Sequence, residues 1–176
     1  MTEKQALIIT ELIDLLPDGQ KIVFREIAHY ISELGYVPQK QKVKDFILSF
    51  KHGNNEKVIG KMGFRKESGF ISLRFFACKS VSEKYLNALR ADLDARNGQY
   101  SGPLRQSPMN MITGKCGYCG DICTGGGLGC YYKYADGREI QRCGAYPIVI
   151  PDVGETDMDE MKKVILEQHN YFLSIS

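Results

Sequence analysis

With 176 residues, 43% of them hydrophobic and 25% charged, the chain has the make-up of one globular domain, or of one domain carrying a small metal subdomain. No apolar run approaches membrane length, and Met1-Thr-Glu-Lys lacks the basic and apolar regions of a secretory signal. A cytoplasmic protein with no membrane partner is therefore expected, its six cysteines kept reduced rather than paired as disulfides.

Residues 5 to 16 place apolar side chains at helical spacing and stop at Pro17-Asp-Gly, which predicts a first helix. Lys21 to Leu34 predicts a second, with Ile22, Ile27, Ile31 and Leu34 on its inner face and Gly35 as its C-terminal cap. From Pro38 onward, Val43, Phe46, Ile47 and Phe50 again recur at helical spacing. Lys40, Lys42 and Lys44 crowd the start of that third segment, where they oppose the helix dipole.

Lys57 to Arg65 and Gly69 to Ala77 read as two strands joined by Lys66-Glu-Ser. Ser80 to Arg96 reads as a helix with Tyr85, Leu86, Leu89 and Leu93 facing inward. Residues 99–114 then form a linker rich in turn signals. At the end of the chain, Pro147 to Pro151 predicts a short strand. Thr156 caps a last helix running to Phe172, with Met158, Met161, Ile165 and Phe172 as its inward stripe.

Five cysteines lie between Cys116 and Cys143. Cys116-Gly-Tyr-Cys119-Gly has the C-x2-C spacing of a zinc knuckle, its glycines relaxing the backbone around the metal. Tyr131 to Ala135 and Arg138 to Arg142 flank Asp136-Gly137, a strong hairpin signal; a two-residue turn there sets Cys130 opposite Cys143. The expected metal ligands are thus Cys116, Cys119, Cys130 and Cys143, with Cys123 as the alternative to Cys130. Four thiolates favour one structural zinc ion; an iron-sulfur cluster is the minor alternative. The glycine run 124–129 lacks the Lys-Ser/Thr pair of a phosphate-binding loop and reads as a flexible lead into the hairpin.

The fold class expected from these elements is α+β: N-terminal helices, a short antiparallel sheet, a helix, then a cysteine-rich zinc-ribbon-like β-hairpin and a C-terminal helix. The expected domains are a helical and antiparallel-sheet domain over 1–98, the linker 99–114, and a metal-stapled segment 115–176 packed on the first domain.

Two functional readings compete. Residues 20 to 80 hold twelve Lys/Arg against five Asp/Glu, whereas residues 151 to 176 hold two against six. Three helices followed by a hairpin is the element order of a winged helix, in which Lys40, Lys42, Lys44, Lys51, Lys57, Lys61, Arg65 and Lys66 contact nucleic-acid phosphates. The other reading takes Phe46 to Ala77 as three strands of one antiparallel sheet with helices on one face, extended or buttressed by the zinc hairpin. The run SFKHG, IGKMGFRK, ISLRFFA within residues 40–95 is similar in outline to small bacterial domains in which helices precede a short meander and another helix follows. That resemblance implies a module that binds a small molecule or a protein. An enzyme is the third candidate: His29, His52 and His169 are isolated in sequence, Cys78 ends an apolar strand, and no catalytic constellation is found.

Overall fold

The computed structural model describes residues 2–74, 82–85, 87–88, 130–133, 139–142, 147–150 and 153–174. It contains helices and an antiparallel five-stranded sheet, so the protein is α+β. The chain divides into two units, residues 1–73 with 149–176, and residues 74–148. This division differs from the expected one, because the C-terminal helix belongs with the front of the chain and not with the cysteine segment.

Helix α1 spans Glu3–Asp14. Thr2 caps it reciprocally, its hydroxyl accepting from the Gln5 amide while the Gln5 side chain accepts from the Thr2 amide, which satisfies two amides that a helix start leaves open. Helix α2, Asp18–Glu33, begins directly after Pro17, so the expected turn is also the helix start. Its buried stripe is Val23, Phe24, Ile27, Ala28 and Ile31; Ile22, expected inside, is exposed. Gly35 ends it in the left-handed conformation at φ +89°, as its sequence position predicts.

Where a third helix was expected, the chain forms strands β1 (Tyr36–Lys40) and β2 (Phe46–His52). Phe46, Leu48, Phe50 and His52 alternate with Ile47, Ser49 and Lys51, and this period of two is satisfied by pairing on both sides. Pro38, which has no amide to donate, sits in β1 at the sheet edge. Strands β3 (Val58–Arg65) and β4 (Ser68–Leu73) complete the meander. Their joint is the two-residue turn Lys66-Glu67, shorter than expected, with φ of 52° and 61°. Ile59 is the extra residue of a bulge in β3, since Gly60 faces Phe50 while Val58 faces Lys51.

Strands β5 (Cys130–Lys133) and β6 (Glu139–Arg142) form a separate two-stranded ribbon, so the cysteine hairpin does not extend the meander. The strand added to β4 is instead β7, Ile148–Ile150. Helix α3, Met158–Ser174, follows a single 3-10 turn over Glu155–Asp157. Asp157, rather than Thr156, caps this entry, its Oδ2 accepting from the Gly154 amide at 2.8 Å. Met161, Val164, Ile165, Gln168 and Phe172 form the buried stripe of α3.

The register assigns the strand residues to two faces. On the first lie Leu48, Phe50, Met62, Ile71 and Leu73, all at most 1% exposed, and this is where the helices pack. A Cβ placed on Gly69 would meet Leu16, Gln20 and Phe24 at 2.5–2.7 Å, and Lys40 pairs with Glu11 of α1 at 3.3 Å. Helix α3 docks beside α2, where Lys162 reaches Glu26 at 3.5 Å and lies 5.7 Å from the Tyr30 ring centre.

Candidate functional site

The second face of the sheet carries Val37 and Gln39 from β1, Ile47, Ser49 and Lys51 from β2, Lys61, Gly63 and Arg65 from β3, and Phe70 and Ser72 from β4. One row of direct cross-strand partners is polar throughout: Gln39, Ser49, Lys61, Ser72. The adjacent row is Ile47, Gly63, Phe70. Gly63 leaves room for the aromatic ring, since a Cβ there would stand 2.7 Å from Phe70 Cε1 and 2.7 Å from the Phe46 carbonyl oxygen. The Arg65 guanidinium stacks over Phe70 at 5.1 Å, a cation-π contact that fixes the ring's outer surface.

None of the strand positions on this face is an Asp or Glu. Two of its three cations are met by carboxylates from loops: Lys51 by Glu56 at 3.0 Å and Arg65 by Asp45 at 4.0 Å. The Lys61 ammonium makes no ion pair or hydrogen bond among the described residues. Ser49 and Ser72, its neighbours on either side, are 8% and 5% exposed.

A second polar cluster lies on the helix side, where the fold gathers residues far apart in sequence. Tyr36 and His52 are direct partners across β1 and β2, their rings edge to face with centroids 5.0 Å apart. His169 of α3 completes the cluster at 5.7 Å from the Tyr36 ring and 5.9 Å from the His52 ring. Its Nδ1 lies 3.4 Å from the Tyr36 hydroxyl, a weak hydrogen bond. Burial pushes the Tyr36 phenol up to about 12, so it remains protonated. Burial, with a smaller contribution from the neighbouring His52, holds the His169 imidazole below its ordinary value.

His52 also organises the loop that follows it. Its Nδ1 accepts from the Asn54 and Asn55 amides at 3.3 and 3.5 Å, which places the ring proton of the neutral form on Nε2. Its backbone amide donates to the Lys57 carbonyl and its carbonyl accepts from Glu56. Gly35 leaves space for this ring: a Cβ there would stand 3.3 Å from His52 Nε2.

The isolation of the histidines was therefore a property of the sequence and not of the fold. His52 and His169, separated by 117 positions, meet, while His29 is exposed on α2. No local pattern carries that signal, because it arises only when α3 docks beside the β1–β2 pair.

The eight basic residues assigned to a winged helix occupy several places. Lys40 lies on the helix side, paired with Glu11 and 3.9 Å over the Phe46 ring. Lys42 and Lys44 lie between β1 and β2, Lys57 precedes β3, and Lys66 is in the β3–β4 turn. Lys51, Lys61 and Arg65 share the second sheet face. The segment that a winged helix would insert into a groove is β1 and β2, so that docking geometry is corrected.

Cys78, Cys116, Cys119, Cys123 and Cys143 lie outside the described residues. Cys130 opens β5, and its direct partner is Arg142, not Cys143. The expected register is one residue off, since Lys133 pairs with Glu139 and not with Ile140. Among the described residues, no group of three or more His, Cys, Asp or Glu is placed to hold a metal, and no helix is long and apolar enough to cross a membrane.

No family model, curated protein or solved structure matches this chain.

Proposed function

We propose that this protein is a binding module for a small molecule or a protein, that the second sheet face is its binding surface, and that the cysteine segment carries one structural zinc ion. The observation that supports the binding role is the polar row Gln39, Ser49, Lys61, Ser72 at the centre of that face. Mid-sheet positions favour β-branched and aromatic residues, which pack well on a pleated surface. Serine and an unpaired lysine contribute little there to stability, and such local departures from the folding pattern concentrate at functional sites.

Cys116 and Cys119 remain the core of the proposed zinc site, whose thiolates would close a tetrahedral shell and stabilise folding rather than supply chemistry. The Cys130–Arg142 pairing removes the reason for setting Cys130 beside Cys143. Cys123 is accordingly the preferred fourth ligand, with Cys116, Cys119 and Cys143. A reduced, cytoplasmic setting suits such thiolates.

Ser49→Val and Ser72→Val test the binding role. On a face kept polar for a ligand, valine raises stability or leaves it within about 0.5 kcal/mol of the parent in urea unfolding. A loss above about 1 kcal/mol in both variants would show that the serines serve the fold, and the assignment of this face would be withdrawn.

A further inference from the structure

The centre of the second face has donors on three adjacent strands and a charge with no carboxylate partner among the described residues. Ser49, Lys61 and Ser72 are direct partners across β2, β3 and β4, so their Cβ atoms follow one another at about 4.5–5.5 Å. The two serines lie about 9–11 Å apart with Lys61 between them, so the ammonium and the hydroxyl on either side of it can reach the oxygens of one anionic group. Neither hydroxyl makes a hydrogen bond among the described residues.

The other cations of this face do not compete for that role. Lys51 is occupied by Glu56, and Arg65 by Asp45 and the Phe70 ring. Lys61 is half-buried and stands between the buried Ser49 and Ser72. About 7 Å along the strands, Ile47 and the part of the Phe70 ring not covered by the Arg65 guanidinium give an apolar surface beside the charge.

We propose that the Ser49, Lys61, Ser72 row binds the anionic group, a phosphate or a carboxylate, of a small ligand whose apolar or planar body lies along Ile47 and Phe70. This rests on the reading of the second face as a binding surface. A single unpaired ammonium suits one anionic group, whereas a nucleic-acid backbone presents a phosphate at every nucleotide and is met by several cations.

The full chain, labelled with 15N, is titrated separately with phenyl phosphate, benzoate and a single-stranded oligothymidylate. Phenyl phosphate or benzoate is expected to give saturable amide shifts at Ser49, Lys61, Phe70 and Ser72, and the better of the two identifies the anion. Lys61→Gln then weakens binding by about tenfold or more, whereas Lys66→Gln in the exposed turn changes it by less than about twofold. The proposal is overturned if neither small probe saturates by about 10 mM, if Lys61→Gln leaves the affinity unchanged, or if only the oligothymidylate binds. Valine variants of normal stability together with silent probes would remove the anion and keep the binding face. Destabilised valine variants would remove both.

Discussion

Gly69→Ala is expected to destabilise the protein by overpacking the seam between the helices and the sheet. Gly69 enters β4 beneath the junction of α1 and α2, where a Cβ would stand 2.5 Å from Leu16 Cδ2, 2.7 Å from Gln20 Oε1 and 2.7 Å from Phe24 Cζ. Leu16 is 4% exposed and Phe24 is fully buried, so neither can swing into solvent. Overpacking of this kind costs about 1–3 kcal/mol. Gln20 also accepts the Gly69 amide hydrogen at 2.9 Å, and displacing it adds about 1 kcal/mol. The sum, about 2–4 kcal/mol, lowers the melting temperature of a chain of this length by roughly 5–15 °C. Urea unfolding followed by far-ultraviolet circular dichroism gives the free energy directly. Gly19→Ala is the control, because nothing lies within 4 Å of its added methyl and it stands in the first turn of α2. There alanine is expected to be neutral or stabilising by up to about 1 kcal/mol. A Gly69→Ala protein within about 0.5 kcal/mol of the parent would refute the close packing of the two helices on β4.

Three further predictions follow from other parts of the fold. The folded His169 binds its proton less tightly than the unfolded residue, whose pKa is about 6.5, so its contribution to stability is complete above that value and is lost as pH falls through the lowered folded pKa. Stability measured from pH 7.5 to 5 is expected to fall on acidification, and His169→Phe to flatten that limb; a parent that becomes more stable toward pH 5 contradicts the cluster. The slope stays below the one-proton ceiling of about 1.4 kcal/mol per pH unit, since the ring is partly solvated. Lys66 and Glu67 both hold positive φ, which costs L-residues roughly 1–2 kcal/mol each, so replacing them with Asn-Gly is expected to raise the urea midpoint. A lower midpoint would mean that the turn side chains hold the hairpin. In the cysteine segment, Cys116→Ser, Cys119→Ser, Cys123→Ser and Cys143→Ser are expected to abolish zinc content by elemental analysis while Cys130→Ser retains it; loss at Cys130 with retention at Cys123 restores the first ligand set.

Local sequence determined the first two helices and the last, because a period of 3.6 with a cap at one end is written within a dozen residues. Gly35 and the Met161, Ile165, Phe172 stripe are legible without a partner. Strands β3 and β4 were legible because apolar, strand-favouring residues flank a short turn signal, which is also a local pattern. Segment 38–50 was not, since Val43, Phe46, Ile47 and Phe50 fit a helix while Phe46, Leu48 and Phe50 fit a strand. Pairing with β1 and β3 decided it, burying Leu48 and Phe50 against the helices and turning Ser49 to the other face. The ribbon register likewise depended on the number of residues left between Lys133 and Glu139, which the Asp-Gly signal alone does not fix. Above all, in the sequence Lys61 stands 12 positions from Ser49 and 11 from Ser72, and His52 and His169 are 117 apart; only strand pairing sets Ser49 and Ser72 on either side of Lys61, and only the docking of α3 brings His169 to Tyr36 and His52. Such neighbours are made by long-range burial of apolar faces, whose partners lie outside any local window.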